Sequence, residues 1–133
     1  MKYHVFRLVY GQDLKQSILE YCRHNKIHSA AVVTVVGCVY QACLRLADGK
    51  TVKTFVSNYE IVSFEGTISN SGVHFHISLS DVEGQTIGGH LMDNTLVNTT
   101  AEIVLVDLSN EYQLTREYDE ATGYDELVVK SRL

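Results

Sequence analysis

The stretch "AAVVTVVGCVYQACLRLADGKTVKTFV", residues 30–56, decides the fold class of this chain. Its first part, Ala30 to Val36, is almost wholly apolar, which is typical of a strand buried on both faces. Gly37 predicts a bend or bulge, after which Val39 to Leu46 resumes as a strand. Asp48-Gly49 is a strong hairpin-turn signal, so the chain is expected to pair back on itself directly afterwards.

One segment upstream, "DLKQSILEYCRHNKI" (13–27), has a helical period instead. Leu14, Ile18 and Cys22 recur at helical spacing and define one apolar face. Asp13 can cap the first turn, and Gln16 three residues later completes a capping-box pattern. This is predicted to be the main helix.

Strand signals dominate the rest of the chain. They cover "YEIVSFEGTIS" (59–69), "GVHFHISLSD" (72–81), "TLVNTTAEIVLVDLSN" (95–110) and a short apolar stretch at 127–129, whereas "VEGQTIGGHLMDN" (82–94) is rich in glycine and is expected to turn. Hairpin-type connections between six to eight strands predict an α+β fold. Its sheet is expected to be largely antiparallel, with one main helix packed on it.

Length and charge restrict the class of protein. The 133 residues fit a single domain, and the net charge of −5 disfavours DNA binding, which depends on clustered Lys and Arg. No apolar run is long enough to cross a membrane, and no apolar segment near Met1 resembles a signal peptide. Three cysteines without C-x-x-C spacing are typical of reduced thiols. We therefore expect a cytoplasmic protein.

The histidines carry the most specific chemical signal. In a strand over residues 72–81, His74 and His76 project from one face, while the apolar residues between and beside them project from the other. His90 follows Gly88-Gly89, which permit a close approach of the backbone to another strand through a turn or bulge. Three imidazoles and a water form an open tetrahedral zinc site, and another divalent transition metal accepts the same ligands. A surface pair of histidines without a metal is the alternative.

Three charged residues in or beside predicted strands are further candidates for catalytic roles. Glu65 and Glu102 are possible general bases or partners of the histidines, and Arg45 is a possible partner for a carboxylate or an anionic ligand. An ordinary solvated or hydrogen-bonded side chain is the alternative for each of them.

The order of these segments, above all H-x-H-x-S-x-S-D followed by G-G-H-L, resembles the plants and prokaryotes conserved (PPC) domain in its single-domain form, over residues 1–133. The resemblance implies a homotrimer with zinc on His74, His76 and His90. Plant members join this domain to AT-hooks that bind DNA. This acidic chain has no proline and therefore no AT-hook, and it has Asn94 where the family more often has glycine.

Two functions follow from the resemblance. The first is a metal-binding, regulatory or DNA-associated homotrimer. The second is a zinc-dependent enzyme of the lyase or decarboxylase kind acting on a small oxo-acid, because the fold is similar to that of acetolactate decarboxylase. Whether the protein is an enzyme stays open from the sequence, and a small-molecule ligand is compatible with both.

Overall fold

The computed structural model describes residues 2–133, which form one helix and eight strands. The elements are β1 (Lys2–Val9), α1 (Leu14–His24), β2 (Ala30–Arg45), β3 (Val52–Ser69), β4 (Gly72–Ser80), β5 (Thr86–Leu91), β6 (Leu96–Asp107), β7 (Tyr112–Asp119) and β8 (Tyr124–Ser131). All strand pairs in this range are antiparallel. The predicted α+β class, with an antiparallel sheet and one helix, is confirmed.

Six strands form one sheet in the order β1-β6-β2-β3-β4-β5, and β5 also pairs with the end of β2. This second pairing, Leu44 with Leu91 and Arg45 with His90, brings the far edge of the sheet back to its middle. Strands β7 and β8 form a separate two-stranded ribbon. Its Leu114 joins the body of the fold by donating from its N–H to Ser29 Oγ (2.9 Å).

Helix α1 covers one face of the sheet. Leu14, Ile18 and Cys22 are buried, as their spacing predicts, and Asp13 Oδ1 accepts a hydrogen bond from the N–H of Gln16 (3.0 Å). The Gln16 side chain does not return this bond, because its amide donates to Asp93 Oδ1 instead (2.8 Å). Among residues 2–133 no helix is long and apolar enough to cross a bilayer.

The prediction that Ala30–Val36 is buried on both faces is wrong for the single chain. Val33 and Val36 are 52% and 56% exposed, because α1 packs against only one face of the sheet. The predicted irregularity at Gly37 is confirmed, since the register between β2 and β6 shifts between Gly37 and Cys38. A Cβ at Gly37 would lie 2.0 Å from the carbonyl oxygen of Thr100, so this close approach requires glycine.

The glycine-rich segment 82–94 also differs from its prediction. It turns only at its two ends, and its middle is strand β5, Thr86–Leu91, which is hydrogen-bonded to β4. Asn94 has a φ of 69°, the left-handed conformation that asparagine tolerates better than most residues. The turn expected at this position is therefore retained without glycine.

Candidate metal centre

Strand β4 separates its histidines from the core. Phe75 and Ile77 are buried, whereas His74 and His76 point to the exposed face, as the alternation of side chains predicts. The Phe75 ring packs over Gly66 of β3, where a Cβ would lie 2.3 Å from Phe75 Cδ1. Gly66 thus permits the close packing that holds β4, and the two imidazoles with it, against β3.

Strand β5 brings the third histidine to the same face. His90 lies directly opposite His76 in the antiparallel register, so a regular strand pair, and not a turn or bulge, places it there. Cβ atoms at Gly88 and Gly89 would lie 2.9 Å and 2.8 Å from the carbonyl oxygens of Ile77 and Arg45. The two glycines therefore allow β5 to fit between β4 and β2, as the predicted close approach requires.

The three imidazoles converge. Nε2 of His74 is 3.0 Å from Nε2 of His76, and one ring nitrogen from each of His74, His76 and His90 lies within 4.8 Å of the others. The ring centroids are separated by 4.7, 5.3 and 5.7 Å. The structure thus brings together all three histidines that the sequence singled out.

The surroundings favour neutral imidazoles at two of these positions. Burial and, next, the positive charge of Arg45 lower the pKa of His90 to about 4. Burial also lowers the pKa of His74, followed by the effects of His76 and Arg116. Neutral imidazole is the form that binds a metal ion, so proton competition at these two rings is weak at neutral pH.

Charged side chains stand next to the histidines across the strands. Arg45 of β2 lies opposite His90 of β5 in the strand register, and Glu65 of β3 lies opposite His76 of β4. Both line an open cleft of about 790 Å³ whose wall includes the three histidines. Two of the three charged candidates are therefore in the site.

Glu102 is not in the site. It lies on β6 opposite Arg7 of β1 and Val36 of β2, and it is not among the residues that line the cleft. Glu102 is a single acid in an apolar strand because its side chain is on the exposed face of the sheet, where Arg7 is its cross-strand neighbour. The structure therefore does not bring Glu102 together with the three histidines.

The ribbon of β7 and β8 supplies residues that the sequence analysis missed. Arg116, Tyr124, Asp125 and Glu126 line the same cleft. The Arg116 guanidinium donates from Nη2 to Thr67 Oγ1 (3.0 Å), and Thr67 lies opposite His74 between β3 and β4. A period of two in "YQLTREYD" (112–119) was the available signal for the first strand of this ribbon.

The donor set fits a divalent transition metal. In a tetrahedral zinc site, ligand nitrogens at about 2.0–2.1 Å from the ion are roughly 3.3 Å apart, close to the separation of the His74 and His76 nitrogens. Nδ1 of His90 is buried without a hydrogen-bond partner among residues 2–133, a state that a bound cation at this nitrogen would relieve. The same three histidines line the open cleft, so an ion that they held would face it.

An antiparallel sheet with three converging histidines in an open cleft defines the class of fold and site. The model of the Plants and Prokaryotes Conserved (PCC) domain matches residues 1–109. The chain belongs to this family, for which we keep the abbreviation PPC. The resemblance inferred from its sequence is thereby confirmed.

Known proteins similar to this chain differ in length and description. The bifunctional protein GlmU of a Synechococcus strain is 41% identical over 130 residues, which are 98% of this chain and 21% of that protein. This chain thus spans about a fifth of the curated relative.

Two solved structures are close in fold. A hypothetical protein from Salmonella is 30% identical, with a TM-score of 0.94 over 99% of this chain and 95% of its own. A protein from Archaeoglobus fulgidus described as metal-containing is 29% identical, with a TM-score of 0.83 over 96% of this chain and 94% of its own.

Proposed function

We propose that this protein binds zinc, or another divalent transition metal, on His74, His76 and His90, and that it acts as a metal-dependent enzyme on a small oxo-acid metabolite. The observation that carries the proposal is the convergence of three imidazoles on one wall of a cleft of about 790 Å³. The description of the Archaeoglobus relative as metal-containing supports the metal. Three protein ligands with open positions are typical of catalytic zinc sites.

The bound metal would supply a Lewis acid that polarises a carbonyl or carboxylate oxygen. Glu65 is exposed to the cleft beside His76 and is the carboxylate best placed to accept or return a proton at the ligand. Arg45, beside His90, is placed to orient an anionic group. Arg45 and Glu65 both line the cleft, whereas Glu102 does not, and we assign Glu102 no role in this proposal.

Metal content tests this proposal directly. Purified full-length protein, loaded with zinc and desalted, is expected to retain about one ion per chain. The His76→Ala variant should lose most of the metal, whereas His24→Ala, which removes an exposed histidine on α1, should retain it. No retained zinc in the unaltered protein, or equal retention in both variants, would contradict the proposal.

A homotrimer is part of this proposal. The face of the sheet opposite to α1 exposes apolar side chains on β1 and β2, with Tyr3 59%, Val5 72% and Val36 56% accessible. Exposed apolar patches of this kind mark association surfaces. The homotrimer implied by the PPC family accounts for this patch, and we propose that residues 1–133 form a single PPC domain in each subunit.

A DNA-associated or regulatory role is the second candidate. An exposed group of basic side chains in and after the last turn of α1 favours it, because such side chains can contact phosphates; these are Arg23, His24, Lys26 and His28. The net charge of −5 disfavours it. A gel-shift series over salt concentration separates the two functions: steep salt dependence supports DNA contact, and no shift at low salt rejects it.

We also propose that the protein acts in the cytoplasm. Cys22, Cys38 and Cys43 are all free thiols in the structure, as expected of a reducing compartment. Fluorescence of the tagged chain in living cells checks this placement.

A further inference from the structure

Two guanidinium groups stand in the cleft beside the three histidines. Arg45 lies opposite His90 in the strand register, and Arg45 Cζ is 5.9 Å from the ring centroid of Tyr124 on β8. Arg116 comes from β7, and both guanidinium charges act on His74. Neither arginine forms an ion pair with a carboxylate within residues 2–133. Their positive charges are therefore available to a ligand.

Arg116 is held in place by hydrogen bonds that leave several of its guanidinium N–H groups without a partner among residues 2–133. Its backbone N–H donates to Ser71 Oγ (2.7 Å), which fixes β7 against the turn before β4, and Nη2 donates to Thr67 Oγ1 (3.0 Å). Nε is buried and has no hydrogen-bond partner in the described chain. Because guanidinium has five N–H donors in a planar fork, this arrangement leaves it able to bind a carboxylate with two hydrogen bonds.

The charges lining the cleft decide the charge of the ligand. Two arginines face three carboxylates, those of Glu65, Asp125 and Glu126, so the metal-free cleft has an excess of one negative formal charge. A divalent ion on three neutral histidines changes this to an excess of one positive charge. The metal-loaded cleft therefore suits a small anion with a single negative charge better than a dianion.

We propose that Arg116 and Arg45 form an anion subsite for the carboxylate of a small 2-oxo or 2-hydroxy monocarboxylic acid, whose second oxygen faces the three-histidine centre. This inference rests on the proposed metal function and names its ligand class. Arg116 and Tyr124 lie beyond residues 1–109, the part that matches the PPC family model. The ribbon of β7 and β8 is thus the element that sets ligand choice in this chain.

Cobalt-loaded full-length protein provides the test, since its visible absorption reports changes in the coordination shell. Pyruvate is titrated against methyl pyruvate, which has the same carbonyl group but no charge. Pyruvate is expected to bind at least about ten-fold more tightly, because only it can form the charged bidentate pair. Equal affinities would overturn the subsite.

The variants are Arg116→Ala, Arg116→Lys and Arg45→Gln, with Arg132→Ala as the matched loss of one exposed arginine outside the cleft. Arg116→Ala and Arg45→Gln should each weaken pyruvate binding about ten-fold or more, Arg116→Lys should restore part of it, and Arg132→Ala should have no effect. Far-ultraviolet circular dichroism and cobalt content are measured first for each variant.

Cobalt content distinguishes failure of the anion subsite from failure of the metal function. Normal cobalt content with unchanged pyruvate affinity in Arg116→Ala overturns the anion subsite alone. Absence of bound cobalt in the unaltered protein overturns the metal function and the subsite that rests on it. Should Arg116→Ala lose its fold, Arg116→Lys decides: unchanged discrimination between pyruvate and its ester then contradicts a role for the planar fork.

Discussion

His76 and His90 lie directly opposite each other in the antiparallel register of β4 and β5, with ring centroids 5.7 Å apart. Because side chains of paired residues project from the same face, this register alone brings the third imidazole to the other two. The geometry of the site thus depends on how closely β5 can approach its neighbours. That makes the glycines before His90 as important as the histidines.

Gly89→Ala is expected to damage the metal site without removing a ligand. The added Cβ would lie 2.8 Å from the carbonyl oxygen of Arg45, so β5 must move away from β2 and take His90 with it. We expect a loss of about 1–3 kcal/mol in the free energy of unfolding from overpacking and about ten-fold weaker zinc binding. Denaturant unfolding and competition with a chelator measure the two effects.

Gly84→Ala, in the turn between β4 and β5, is the control, since an added Cβ there would meet nothing within 4 Å but the backbone has a left-handed φ of 81°. It should lower the free energy of unfolding, because alanine is strained at this φ, and leave zinc affinity unchanged. Zinc affinity that falls equally in both variants would contradict the role of close strand approach at Gly89.

Val5→Asp tests the association surface. Val5 is 72% exposed on the single chain, and burial of an unpaired carboxylate in an interface is costly, so the variant should dissociate. Light scattering of the unaltered protein should give three times the chain mass of 14.9 kDa. Val82→Asp, at a valine that is 79% exposed in the turn after β4, should leave the assembly intact. A monomeric unaltered protein would refute the trimer.

The pH dependence of stability has a defined contribution from Asp48 in the turn between β2 and β3. Hydrogen bonds to its carboxylate, first from the Thr51 side chain and then from the backbone N–H groups of Lys50 and Thr51, lower its pKa from 3.8 to about 2. Because the folded pKa lies below the unfolded one, the stabilisation is present above pH 3.8 and is lost as the pH falls through about 2.

Asp48→Asn should therefore be less stable than the unaltered protein at pH 6, and the difference should shrink toward pH 2. Urea unfolding across this range measures the free energy of unfolding of both proteins. A difference that does not change with pH would show that the charge of Asp48 contributes nothing.

Cys22 should be the thiol least reactive toward a disulfide reagent in the native protein. Burial on the core-facing side of α1, followed by the charge of Asp107, raises its pKa to about 11. At pH 8 only about one thiol in a thousand is then ionised, and thiolate is the reactive form. Native protein should show a slow phase that Cys22→Ala removes and that urea abolishes. A reaction of all three cysteines at the unfolded rate would contradict the burial.

The sequence predicted the elements whose signals are local. Alternation along β4 placed His74 and His76 on one face, and helical spacing placed Leu14 and Ile18 in the core. Pairing register is not local, so the sequence pattern predicted that a turn or bulge places His90 beside the other histidines. A regular pair of strands places it there instead. The exposure of Val36 was missed because a stretch of valines does not show whether its second face meets another layer of the same chain.

The remaining differences concern charged residues. Glu102 stood out as a single acid in an apolar strand, but its cross-strand partner Arg7 is nearly a hundred positions away and was invisible to the sequence pattern. Arg116 lies in a ribbon whose strands are mostly polar, and Arg116 itself stands at a position that the period of two in β7 otherwise gives to apolar or aromatic side chains. Its contact with Thr67 depends on how that ribbon packs against β3.

X-ray absorption at the zinc edge of the zinc-loaded protein tests the metal centre most directly. We expect three imidazole nitrogens at about 2.0–2.1 Å and a light-atom ligand from solvent, with one imidazole lost in His90→Ala. A shell without imidazole scattering, or a shell that is the same in His90→Ala, would contradict the assignment of His74, His76 and His90 as the metal ligands.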